Sequence, residues 1–136
     1  MSDSKASTTR LRVRYSETDQ MGTFYNSRAL EWFECGRSEF MRALGTPYTE
    51  MESRGLMLPI VESHATYTGP AVYDDQLELT TTAHMVGKAR VRFDVAIANL
   101  TTGVAIAAGW TVHAIVNCEG KPIRPPTWFT EAISGQ

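Results

Sequence analysis

The chain has 136 residues, 43% of them apolar, and its 13 Lys and Arg against 15 Asp and Glu leave a formal net charge of −2. That length supports one domain burying roughly 70% of its unfolded surface without disulfide staples, and the charge gives no field for gathering nucleic acid, although local Arg and Lys clusters could still meet a phosphorylated small molecule. Cys35 and Cys118 lack metal-ligand spacing and read as free thiols of a reducing compartment, and no apolar run nears the roughly 20 residues of a membrane span, so a soluble cytoplasmic protein without a metal is expected.

Residues 1–8 are polar and small, lack the apolar stretch of a signal peptide, and read as a disordered tail ahead of a single domain over 9–136. Leu11, Val13 and Tyr15 alternate with Arg10, Arg12 and Arg14, which predicts a strand. A polar turn from Tyr15 to Asn26, carrying Asp19, then leads into a helix expected from Ser27 to Leu44. At 100° per residue, Trp32, Gly36, Ala43, Ala29, Phe40, Phe33, Leu44, Leu30 and Met41 span an arc of roughly 180°, wider than an ordinary stripe of about 100°. Such a helix must be wrapped rather than touched on one side. Gly36 inside that arc predicts a close approach of another backbone, and Arg37, also inside it, has Glu34 one turn earlier as its natural partner.

Thr46 and Pro47 read as the N-cap and first residue of a short helix ending near Gly55. Everything beyond reads as sheet: Leu58 to Tyr67, Gln76 to Val86, Lys88 to Leu100 and Val104 to Asn117, punctuated by Gly69-Pro70, Asp74-Asp75, Gly87 and Thr102-Gly103. In the third segment Val91, Phe93, Val95 and Ile97 form one buried face. In the fourth, Val104, Ile106, Ala108, Trp110, Val112 and Ala114 fill one face against the small Ala105, Ala107 and Gly109, which predicts a central strand. Strand, long helix, then antiparallel strands is an α+β order in which the sheet curls around one helix.

Asp19 thus stands between a strand and a helix N-terminus, whose free N–H groups and partial positive charge can keep a carboxylate ionised or steady an oxyanion. On its own, an Asp in Thr-Asp-Gln-Met-Gly is commonly an Asx-turn or capping residue. Tyr15 serves equally as a core tyrosine, Asn26 as an N-cap, Lys88 and Arg90 as a solvated face, and Gly22 and Gly87 as turn formers. His64, His84 and His113 lie on separate strands without ligand spacing and read as structural or surface residues.

The surroundings change that balance. Arg14-Tyr15-x-x-Thr18-Asp19-x-x-Gly22, Asn26, and Leu30-Glu31-Trp32-Phe33-Glu34-x-x-Arg37-x-Glu39 resemble the hotdog-fold acyl-CoA thioesterases of the hydroxybenzoyl-CoA thioesterase type. Leu58-Pro59-Ile60-Val61-Glu62 and Tyr67-x-Gly69-Pro70-Ala71-x-Tyr73-Asp74-Asp75-Gln76-Leu77 match too, so the resemblance spans residues 10 to about 117. It implies a hotdog fold, a long central helix wrapped by a curved antiparallel sheet. Asp19 takes the family's catalytic aspartate position, as nucleophile or as general base for water. Backbone N–H groups of Tyr25, Asn26 and Ser27 take the oxyanion role, Tyr15 matches a tyrosine used by some bacterial members, and Asn26 stands where others carry His, Asn or Tyr.

The resemblance also implies a homodimer or homotetramer with the site at the subunit interface, where the partner's Pro59, Ile60 and Val61 face Asp19, with Phe24 nearby. Lys88 aligns with the end of a basic run that grips coenzyme A phosphates, Val86 and Gly87 replace that run's arginines, and Arg90 supplies part of the missing charge. The substrate is then an acyl-CoA or acyl-carrier-protein thioester, with no bound cofactor required and no nucleic acid or membrane partner. The rival readings are a hotdog hydratase or dehydratase, which pairs a His with an acid, and a non-catalytic acyl-CoA binding module.

Overall fold

The computed structural model describes residues 6–135. Its elements in chain order are β1 (Ser7–Arg12), a 3₁₀ turn (Tyr15–Glu17), α1 (Arg28–Ala43), α2 (Tyr48–Ser53), β2 (Ile60–Tyr67), β3 (Gln76–Val86), β4 (Arg90–Asn99), β5 (Val104–Ala114) and α3 (Thr127–Ser134). The five strands form one antiparallel sheet in the order β1-β3-β4-β5-β2, and α1 touches all five. The expected wrapping of one helix by a curved sheet is what the chain adopts.

Alternation places the core. Val91, Phe93, Val95 and Ile97 of β4 and Leu77 and Leu79 of β3 are all but inaccessible, while their neighbours along each strand face outward. Two clusters result along α1. One, built on Phe24, Trp32, Phe33, Leu77 and Ile97, lies towards the helix start, and the other, built on Phe40, Met41, Phe93, Ile115 and Phe129, lies towards its end. Gly36 marks the waist between them: a methyl group there would sit 2.5 Å from Thr81 Oγ1 on β3, so the close neighbour is a side chain and not the backbone expected.

Several elements depart from the sequence reading. β1 begins at Ser7, so Ser7 and Thr8 of the expected tail pair with Thr81 and Thr80; residues 1–5 of that tail lie outside the described residues. The strand also stops at Arg12, because Val13 and Tyr15 follow a loop that turns over β3: Val13 exchanges backbone bonds with Asp74 and Asp75, and Tyr15 is 77% exposed. Leu30 and Ala43, in the first and last turns of α1, are exposed although the projected arc includes them. Thr46 does not cap α2, whose N-cap is Pro47, and its buried hydroxyl has no partner among the described residues.

β5 is an interior strand flanked by β4 and β2, as expected, but its face assignment reverses partway. Ile97 pairs with Ala107 and Ala98 with Ala105, so Ile106 is an extra residue, a bulge. A one-residue slip moves every later side chain to the other face. Ala107, Thr111 and His113 therefore point inward, and Trp110 lies outside, stacked on His64 at 4.3 Å with the Arg92 guanidinium over its ring. The C-terminal segment is not sheet: α3 buries Phe129 and Ile133 over the second cluster.

Candidate active site at the entrance to α1

The loop between β1 and α1 is held by a side chain that the sequence reading passed over. Glu17 is only 3% exposed. Its Oε1 accepts the Arg14 backbone N–H at 2.7 Å, and its Oε2 accepts the Trp32 indole N–H at 3.0 Å and the Arg14 guanidinium at 3.3 Å. A buried carboxylate thus joins the loop to the first turns of α1, and its carbonyl takes the Tyr25 N–H at 2.8 Å. An acid flanked by Arg14 and, fifteen residues on, a core Trp was the available cue.

Asp19 sits at the tip of this loop, half-buried. Thr18 and Phe24 form an antiparallel bridge, the Asp19 N–H donates to the Thr23 carbonyl at 2.9 Å, and the Gly22 N–H donates back to the Asp19 carbonyl at 3.0 Å. Gly22 has φ +86°, a conformation that side-chain-bearing residues seldom adopt, and this closes the turn. Asp19 Oδ1 accepts the Met21 N–H at 2.8 Å, so the Asx turn of the structural reading is present. That bond fixes the carboxylate's orientation and leaves Oδ2 without a protein donor among the described residues, so holding the turn and presenting an oxygen coexist.

Phe24 anchors the far side of the turn. It is buried against Trp32 and Tyr67, with ring centroids 5.1 and 6.1 Å away. The Tyr67 hydroxyl donates to the Asn26 carbonyl at 2.8 Å, tying β2 to the helix entrance. Thr23, Phe24, Asn26, Tyr67, Gly69 and Pro70 line an open cleft of about 270 Å³ there.

The three expected oxyanion donors separate. The Tyr25 N–H is committed to Glu17, whereas those of Asn26 and Ser27 have no protein acceptor among the described residues. The next three N–H groups bond back to the carbonyls of Tyr25, Asn26 and Ser27, which holds the first turn rigid. Of the three, the Asn26 and Ser27 N–H groups are the two left free among the described residues. The Asn26 side chain makes no cap, since the N-cap is Ser27 and it too lacks a side-chain bond. Tyr15 lies on the surface, edge-on to Tyr73 at 5.7 Å, and the structure gives it no contact with Asp19.

The remaining predicted residues are far away within one chain. Tyr67, at one end of β2, holds the helix entrance, so Ile60 at the other end lies about 23 Å off at about 3.3 Å per residue. Pro59 and Val61 share that far end. The Lys88 turn lies at the end of β3 opposite Gln76, which pairs with Arg12 near the loop, about 35 Å away on the same measure. Lys88 lines its surface groove with Arg124, and Arg90 is outside that lining. One protomer presents the carboxylate and the donor pair, and the expected pocket wall and phosphate grip stand at the opposite end of its sheet.

Comparison with known proteins agrees with this architecture. The family model described as thioesterase-like superfamily matches residues 13–133. The chain is 32% identical over 125 residues to the Bacillus subtilis protein named "Putative acyl-CoA thioesterase YneP", covering 88% of this chain and 90% of that one. Among solved structures it is similar to the hypothetical protein TT1821 from Thermus thermophilus (TM-score 0.87, 31% identity, 96% and 97% of the two chains). It is likewise similar to the DHNA-CoA thioesterase from Staphylococcus aureus (TM-score 0.86, 29% identity, 96% and 89%).

Proposed function

This chain belongs to the thioesterase-like superfamily, and from that premise we propose that it hydrolyses an acyl-CoA thioester to free acid and thiol at a site shared between two protomers. The observation that carries the reading is the α1 entrance. A carboxylate held by its own loop keeps one oxygen unbonded, and the N–H groups of Asn26 and Ser27 stand free at the start of a helix. Two fixed donors are what a thioester carbonyl needs as its oxygen gains charge, and removing one such donor costs on the order of 10²–10³ in rate. Asp19 then either attacks the carbonyl carbon, forming a mixed anhydride that water opens, or takes a proton from the attacking water. Both routes consume one water and release acid and thiol. A single turnover in ¹⁸O-labelled water separates them, because only the anhydride route can leave unlabelled oxygen from Asp19 in the first acid released.

The second protomer follows from β2. Among the described residues it is an edge strand paired only with β5, is exposed along nearly its whole length, and carries Ile60, Val61 and Tyr67 open to solvent. Such an edge needs cover. Antiparallel pairing of two β2 strands about a two-fold axis sets the Ile60 end of each against the Tyr67 end of the other. That arrangement carries Pro59, Ile60 and Val61 across the 23 Å gap to the partner's Asp19 and brings the Lys88 end of the sheet to the same side. A hydratase is disfavoured because each His is engaged elsewhere: His64 on Trp110, His84 beside Asp94, and His113 between the Leu58 carbonyl and Thr111. Thiol release from short, long and aromatic acyl-CoA thioesters tests the proposal. Turnover on at least one is expected, and tight binding without thiol release from any would establish a binding module instead.

A further inference from the structure

A second cavity, of about 520 Å³, opens between α1, α2 and the far end of the sheet, lined by Met51, Leu56, Leu58, Pro59 and Val116 among others. Its walls are chiefly apolar, and it contains one buried charge. Arg37 is 7% exposed, and its Nε and Nη1 are buried without an acceptor among the described residues. The expected pairing with Glu34 does not form: Glu34 is exposed and makes no ion pair with it. The groups around Arg37 do not neutralise it. His113 is buried, with Nδ1 on the Leu58 carbonyl and Nε2 on Thr111, and burial pushes its pKa down to about 4, so it is neutral at pH 7. Burial likewise raises the Tyr48 hydroxyl, against the pull of Arg37. Glu52 and Glu119 line the cavity from its solvent-exposed side.

A buried guanidinium with unused N–H donors in an apolar chamber is a built receptor for an anionic group. The chamber's rim is Pro59, beside Ile60 and Val61. On the two-fold pairing of β2 above, these residues face the partner's Asp19, so an acyl group held there extends past Pro59 into the chamber. We propose that this chamber receives the far end of the acyl group, and that Arg37 selects thioesters whose acyl chain ends in a carboxylate. The inference rests on the hydrolase reading and names its substrate class. The apolar walls take the methylene or aryl body, and Arg37 takes the terminal oxygens in exchange for the water that a neutral chain would strand there.

Two measurements test it. The first is kcat/KM for adipoyl-CoA and suberoyl-CoA relative to hexanoyl-CoA and octanoyl-CoA, in wild type, Arg37→Lys and Arg37→Met; the ratio cancels any general loss of folded enzyme. The wild-type ratio is expected to exceed about 10, to fall below 1 in Arg37→Met, and to stay intermediate in Arg37→Lys. A wild-type ratio at or below 1, or one that Arg37→Met leaves intact, overturns the proposal. The second is calorimetry of the wild type with free adipate and the neutral hexanamide, which needs no turnover. Adipate is expected to bind at least about 10-fold tighter. Hydrolysis of hexanoyl-CoA without adipate binding overturns the Arg37 site alone, whereas adipate binding without hydrolysis of any thioester upholds the anion site and overturns the hydrolase.

Discussion

Glu17→Ala tests whether the loop bearing Asp19 is held by the buried carboxylate behind it. The substitution deletes acceptors for the Arg14 N–H at 2.7 Å and the Trp32 indole N–H at 3.0 Å, and the Trp32 ring is 2% exposed, so water cannot readily replace them. An unsatisfied buried donor costs about 1–3 kcal/mol, and bonds to a charged acceptor contribute about 1.5–3 kcal/mol each. Arg14 is exposed and recovers part of its share from water, which puts the net loss near 3 kcal/mol. In a domain of this size that lowers the melting temperature by about 10 °C. Glu17→Gln keeps one acceptor oxygen and should lose about half as much. Thermal melts of the three proteins, followed by circular dichroism, read the effect. The same change should cut kcat/KM about 10-fold at a temperature where the variant is folded, since Asp19 and the Asn26–Ser27 donors lose their common anchor. A Glu17→Ala melting point within about 2 °C of wild type would refute the reasoning.

Gly36→Ala should destabilise by about 1–2 kcal/mol despite its better helix propensity, because the added methyl meets Thr81 Oγ1 at 2.5 Å; Thr81→Ala in the same chain should restore most of the loss, measured by urea denaturation. His113 carries a pH dependence. Its folded pKa of about 4 lies below the unfolded value near 6.5, so its stabilising contribution is complete above pH 6.5 and is lost as pH falls towards 4. Stability should drop by about 2 kcal/mol between pH 7 and pH 5, and the His113 ring should remain neutral by NMR at pH 5.5. A ring that titrates near 6.5 contradicts this. Val61→Lys, placing a charge on the open edge of β2, should convert a dimer of 15.1 kDa chains to monomer by light scattering and reduce kcat/KM about 100-fold; an unchanged mass and rate would rule out the β2 interface.

What the sequence disclosed follows from which forces are local. The bounds of β3 were readable to the residue, because Asp74-Asp75 and Gly87 punctuate a clean alternation. Trp32, Phe33, Phe40 and Met41 on α1 marked a helix wider than an ordinary stripe, and Gly36 marked its closest contact. The reversed face of β5 was hidden because one extra residue, Ile106, is visible only in the register with β4. α3 was missed although Pro126, Gly135 and the Phe129–Ile133 spacing signal a helix. The position of Asp19 ahead of a helix start was legible, whereas the parts assigned to Asn26 and Ser27 came from the family resemblance alone. The buried role of Glu17 was not legible, and periodicity placed Arg37 on the buried arc but offered Glu34, one turn away, as a partner that it does not have. Their burial depends on Trp32 in one case and on a chamber made by α2 and the β5 end in the other.

In the proposed reaction the Asp19 carboxylate does the chemistry, and its loop only holds it in place. Asp19→Asn keeps an Oδ1 for the Met21 N–H and so preserves the turn. Steady-state thiol release on the best acyl-CoA substrate, beside a melt of both proteins, measures it directly. The expected kcat is lower by about 100-fold or more, with KM and melting temperature close to wild type. An Asp19→Asn variant that turns over within a few-fold of wild type would contradict it.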